Sequence, residues 1–103
     1  MEELDFTRHF LARVRRRVGV NKRAVRAWAR SAVERGDEPR AFRGEFRAYL
    51  DEIVHDPRHP ANRAVVFAPY IVLLRGNRCI TLYHVPGRFR RAAYKQRRKR
   101  DKG

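Results

Sequence analysis

The sequence predicts an α+β fold: three N-terminal helices followed by a three-stranded antiparallel meander and a basic C-terminal tail. Three observations carry this. Apolar residues recur at helical spacing through the first half of the chain, β-branched and aromatic runs replace that period after residue 63, and a Gly-Asn pair separates the last two runs. The expected organisation is one α+β domain over residues 1–87 and a tail over 88–103.

The first helix is expected over about 5–18, where Phe6, Phe10, Val14 and Val18 fall every four residues and draw one apolar stripe. Gly19 is its stop. The second runs over 21–35, with Asn21 as N-cap, Gly36 just past its end, and Val25, Trp28, Ala29, Ala32 and Val33 on one face. The third covers 41–54, with Phe42, Phe46, Tyr49, Leu50 and Ile53 inward and Gly44 as a weak point inside it. Pro57 and Pro60 break the helical pattern. Residues 64–67, 70–74 and 79–85 then read as strands, with Pro69 between the first two and Gly76-Asn77 turning the hairpin between the others. The buried set should be Trp28 with Phe6, Phe10, Phe46, Ile53, Ile71, Leu73, Ile80 and Leu82. In the last strand Ile80, Leu82 and His84 should face the helices, leaving Thr81 and Tyr83 on an open face. Pro86-Gly87 closes that strand. The tail should become helical on contact with a partner, and the folded core should survive its removal.

Charge decides the class of partner. The chain carries 26 Lys and Arg against 11 Asp and Glu, a formal net charge of +15. The tail holds nine of those cations and one Asp, so it supplies +8 of the total. Such a surplus gathers polyanions and repels itself when no partner is present. No apolar stretch approaches the roughly 20 residues of a spanning helix, so a membrane partner is not expected. The acidic start, Glu2-Glu3-Leu4-Asp5, is unlike a signal peptide, and the lone Cys79 excludes an intramolecular disulfide, which makes a cytoplasmic setting the expectation. A nucleic acid is the expected partner, RNA ahead of DNA; an acidic protein is the competing one.

Candidate chemistry follows from spacing. His9, Arg13 and Arg17 lie four apart and line one side of the first helix. A phosphodiester site needs such a group, an imidazole to move protons and guanidiniums to meet charge developing on phosphorus. The same spacing also suits a solvated basic flank. Thr81 and Tyr83, with Arg75 and Arg78 beside the turn, could form a platform for a nucleotide or simply a polar strand face. His55 and His59 have metal-like spacing, but the prolines deny them a helix, and no cofactor is expected. Cys79 has no base beside it in sequence, and no Gly-rich phosphate loop, zinc pattern or base-reading motif is present.

The segments from His9 to Arg17 and from Val25 to Gly36, with the closing run Ile80-Thr81-Leu82-Tyr83-His84-Val85-Pro86, resemble small uncharacterised proteins of phages and mobile elements. Through them the chain looks distantly similar to the RelE, barnase and colicin group of ribonuclease toxins. The resemblance implies N-terminal helices joined to an antiparallel sheet and RNA cleavage without a metal. It assigns catalysis to His9, Arg13, Thr81 and Tyr83, and it implies an antitoxin as a protein partner. The extra third helix and the short sheet depart from the pattern of that group. The expected function is therefore a metal-independent endoribonuclease of RelE-like type. Arg17, Arg75, Arg78, Arg88, Arg90, Arg91, Lys95, Arg97 and Arg98 would hold the nucleic acid. The alternative is a non-catalytic accessory that binds RNA or a ribonucleoprotein such as the ribosome. A third reading makes the tail an arm that neutralises packaged nucleic acid or grips an acidic protein.

Overall fold

The computed structural model describes residues 3–102 and corrects the expected architecture. Four helices pack on a four-stranded mixed sheet; the three-helix arrangement with a three-stranded antiparallel meander is not what forms. In chain order the elements are β1 (Asp5–Phe6), α1 (Arg8–Arg17), α2 (Val25–Arg35), a 3-10 turn (Pro39–Ala41), α3 (Gly44–Val54), β2 (Arg63–Phe67), β3 (Tyr70–Arg75), β4 (Arg78–His84) and α4 (Gly87–Lys102). The strands lie in the order β1-β4-β3-β2, with β1 parallel to β4 and the other pairs antiparallel.

Both faces of the sheet are covered. Phe10 and Val14 of α1 and Val25, Ala29 and Ala32 of α2 pack on Val65, Val72, Leu74, Cys79 and Leu82. On the other face Phe46 and Leu50 of α3 and Phe89 and Ala93 of α4 pack on Ala64, Val66, Ile71 and Leu73. The central strands explain themselves by composition. Val65-Val66 and Ile71-Val72-Leu73-Leu74 are unbroken apolar runs, the pattern of strands buried on both sides. An open face on Thr81 and Tyr83 is thus a wrong expectation: Thr81 is only 5% exposed and Tyr83 is half-buried.

Strand β4 also departs from clean alternation. Leu73 pairs with Thr81 and Leu74 with Cys79, so Ile80 is the extra residue of a β-bulge. The bulge puts Cys79 and Leu82 on the same face and leaves Ile80 half-buried. His84 lies on the α1/α2 face, as its alternation with Leu82 expects, but it is exposed there, paired with Tyr70 and tilted against the Tyr70 ring at 5.2 Å. Trp28 is half-buried, edge-on to Phe67 and Tyr70 at 6.0 and 5.5 Å. Phe6 and Ile53 are also half-buried rather than enclosed.

Local chemistry sets the element ends. Residues 5–6 pair with Arg78 and Cys79 rather than starting the helix, and Thr7 caps α1. Asn21 organises a turn through Ala24 N–H, and α2 itself starts at Val25. Gly44 is not interior to α3; it opens the helix at φ +63°, in the left-handed region that costs glycine little. Gly36 is needed for a different reason. A Cβ there would sit 2.2 Å from a Val65 methyl carbon, because the chain leaving α2 runs against β2.

The tail belongs to the fold. Helix α4 buries Phe89 and Ala93, and Phe89 stacks on Phe46 at 4.8 Å. Arg97 lies 4.1 Å above the Phe67 ring and donates to the Ala68 carbonyl. Arg100 binds Asp37 at 2.9 Å, and Asp37 is 3% exposed and bridges β2 at Val66. Removing α4 would therefore open the core, contrary to the expectation from sequence.

Candidate active site

The free side of β4 positions the site. Strand β1 pairs with only the first two residues of β4, and the chain then turns into α1 at Thr7. Thr7 stitches the turn: its hydroxyl accepts from Phe10 N–H and donates to the Ile80 carbonyl, both at 3.0 Å. Beyond that point α1 flanks β4 from one face and α3 from the other. Between them opens a cleft of about 770 Å³, closed at one end by the loop over residues 55–62.

Four candidates from the sequence, His9, Arg13, Thr81 and Tyr83, line this one cleft. His9 is exposed in the first turn of α1, and Arg13 is half-buried one turn later. Arg13 belongs to the helix on the α1/α2 face yet reaches around the strand. It donates to the Leu82 carbonyl at 3.4 Å, and its guanidinium carbon lies 5.8 Å from the Tyr83 ring centroid. One contact to β4 and one to an aromatic face hold the guanidinium in place while leaving most of its five N–H donors unassigned. Thr81 forms a buried part of the wall, and Tyr83 projects from the strand toward α3.

Tyr49, Asp56, Arg58 and His59 also line the wall and were not singled out for the site from sequence. Burial pushes the Tyr49 phenol above its usual pKa, with the neighbouring Tyr83 adding to the effect, so it remains a neutral donor. Arg58 folds back on Asp56 with contacts of 2.6 to 3.0 Å and holds the Asp56 carboxyl down at about 2. Asp56 therefore stays ionised and cannot donate a proton at neutral pH; it orders Arg58. His59 accepts from Ala61 N–H at Nδ1, at 3.3 Å, which puts the proton of a neutral ring on Nε2. That Nε2 is buried and has no partner among the described residues. Such an orphaned donor costs about 1–3 kcal/mol. The spacing of His55 and His59 was the available signal, but it pointed toward a metal. His55 instead faces back to the Asp51 carbonyl at 2.7 Å, and no group of three or more metal-ligating side chains exists among the described residues.

The expected nucleic-acid contacts divide. Arg17 is exposed and does not line the cleft; its carbonyl accepts from the Tyr70 hydroxyl at 3.4 Å. Arg75 donates to the Pro60 carbonyl at 3.0 Å and Arg78 pairs with Asp5 at 2.9 Å, so both brace the ends of the β3–β4 hairpin. Arg90 donates to the Val85 carbonyl at 3.4 Å, and Arg97 is held by Phe67 and Ala68. Arg88, Arg91, Lys95 and Arg98 are exposed on α4. Burial pushes the Cys79 thiol up to about 12, so it is an inert core residue.

Among the described residues no helix is long and apolar enough to cross a membrane. No protein-family model, curated protein or solved structure matches this chain.

Proposed function

We propose that the protein is an RNA-directed endoribonuclease that needs no metal, with the cleft beside β4 as its active site. The observation that carries the reading is convergence. His9 and Arg13 meet Thr81 and Tyr83, some seventy positions away in sequence, around one cleft large enough for a nucleotide. The resemblance to the RelE, barnase and colicin group supports the same reaction, and the net charge of +15 supports a polyanionic substrate.

In this reaction the RNA 2′-oxygen attacks the adjacent phosphorus. A 2′-O–P bond forms, the P–O5′ bond breaks, and the products are a 2′,3′-cyclic phosphate and a free 5′-hydroxyl. One group takes the 2′-hydroxyl proton and another returns a proton to the leaving 5′-oxygen. His9, exposed at the cleft rim, suits the first role, and the Tyr83 hydroxyl suits the second. Arg13 and Arg58 meet the negative charge on the equatorial oxygens, with Arg13 taking the part that the sequence shared with Arg17. Thr81 orients the phosphate. The expected setting is cytoplasmic, with RNA free or within the ribosome as substrate and an antitoxin as a protein partner.

Incubation with total RNA in the presence of a chelator tests the reading. Cleavage leaving 2′,3′-cyclic ends is the expected result. Intact RNA at saturating protein would transfer the cleft to the non-catalytic alternative, an RNA- or ribonucleoprotein-binding module.

A further inference from the structure

Helix α4 carries nine cations, and its packing sorts eight of them, the ninth, Lys99, lining a groove with Asp37 and Arg100. Arg90, Arg97 and Arg100 make contacts within the protein, to Val85, to Phe67 and Ala68, and to Asp37. Arg88, Arg91, Lys95, Arg98 and Lys102 follow at intervals of three and four residues, so they share one face of the helix. That face lies opposite Phe89 and Ala93, which are in the core. All five are exposed and none has an ion-pair partner among the described residues; Arg88 also lies over the ring of its neighbour Phe89, at 4.6 Å.

Helix stability does not explain this stripe. Like charges at i,i+3 and i,i+4 destabilise a helix, and Arg88 sits in the first turn, where a cation opposes the macrodipole. From Arg88 to Lys102 the stripe runs about 21 Å along the helix. Tyr94, exposed at 37%, lies between Arg91 and Arg98 and is the exposed large apolar side chain among the described residues. The first residue of the stripe lies near the cleft: Arg88 neighbours Phe89, which packs 5.6 Å from Tyr49, a residue of the cleft wall.

We infer that the outer face of α4 is a binding track for an RNA backbone, on which Arg88, Arg91, Lys95, Arg98 and Lys102 contact successive phosphates and Tyr94 stacks on a base, leading the strand into the cleft. It rests on RNA as the partner and not on catalysis. Cations spaced along a helix match a repeating polyanion better than a single acidic side chain, and an exposed aromatic between them is the usual platform for an unpaired base.

The test is fluorescence anisotropy with a 2′-O-methyl RNA, which lacks the attacking hydroxyl, so that binding is read whether or not the cleft cleaves. A variant with the five stripe residues changed to Gln is compared with one in which Arg15, Arg16, Arg23, Arg26 and Arg30 are changed to Gln, an equal loss of charge on α1, α2 and the turn before α2. The stripe variant should flatten the salt slope by roughly 3.5, the value for five contacts to a single strand, while the control flattens it by less than about 1. Between 50 and 200 mM salt the parent should then lose about 10²-fold more affinity than the stripe variant. Equal effects of the two variants would overturn the track in favour of diffuse attraction. So would loss of binding to phosphatidylserine vesicles by the stripe variant with RNA binding unchanged. Should the fivefold variant fail to fold by circular dichroism, Arg91→Gln with Lys95→Gln gives the same comparison with an expected slope change of about 1.4.

Discussion

The two sides of the sheet use arginine in opposite ways. Along β2, Arg97 is held by a ring and a carbonyl, and Arg100 is paired to the buried Asp37; both fix α4 to the strand. Along β4, Arg13 is held by one carbonyl and one ring, and the exposed Arg58 is ordered by the half-buried Asp56 carboxylate at the mouth of a cleft. The first arrangement leaves little of the guanidinium for a ligand. The second positions the guanidinium and leaves donors over. Net charge alone cannot separate the two, because both sides are basic; what separates them is whether each cation has a protein acceptor that saturates it.

The largest effect should come from the β2 side. Phe89→Ala should cost about 3–5 kcal/mol, because the ring is buried against Phe46 and Tyr49. That approaches the whole stability of a small domain, so a chain ending at residue 87 should not fold cooperatively. A truncated protein with the parent's urea midpoint would break the comparison, returning α4 to a detachable arm.

Next comes the pair of arginines themselves. Arg100→Ala leaves Asp37 buried without its cation and should cost about 1–3 kcal/mol in urea unfolding. Arg58→Ala, at an exposed position, should stay within about 0.5 kcal/mol of the parent while lowering RNA cleavage. If the two variants destabilise equally, the distinction between anchored and available arginine fails. Thr7→Ala should fall between them at about 1 kcal/mol, since it loses the α1 cap and the bond to β4 together.

The smallest effect is in acid. Asp56 has its folded-state pKa depressed from 3.8 to about 2, so its contribution is present above the ordinary carboxylate value and lost as pH falls through about 2. The Asp56–Arg58 clamp should thus persist at pH 4, read as an unchanged Arg58 Nε–H resonance. Loss of that resonance near pH 4 would mean the loop is not held as described.

Much of this was legible in the sequence, and the misses have physical causes. Helices around Phe10, Ala29 and Phe46 and the Gly76-Asn77 hairpin follow from periodicity and turn chemistry. Strand β1 was hidden because two residues carry no period, and its pairing with Arg78 and Cys79 is long-range. The second covered face was signalled by the unbroken apolar runs of β2 and β3, yet α4 reads as tail because its inner face holds only Phe89 and Ala93 amid cations. The β4 bulge left no mark in composition, so Ile80 was misassigned, whereas His84, beyond the bulge, keeps the face expected of it and is only more exposed. At the site, His9, Arg13, Thr81 and Tyr83 could be named from helix spacing and strand alternation. Tyr49 and His59 could not, because only the packing of α3 and the loop over 55–62 against β4 brings them there.

Single-turnover cleavage at saturating protein, compared among the parent, His9→Ala, Arg13→Ala and Arg47→Ala, tests the cleft most directly. Arg47 pairs with Asp51 on the outer side of α3, away from the cleft, and serves as the control. If the cleft is the active site, His9→Ala and Arg13→Ala should each slow cleavage by roughly 10²-fold or more at equal RNA occupancy, with Arg47→Ala near the parent. Parent-like rates for both His9→Ala and Arg13→Ala would contradict it.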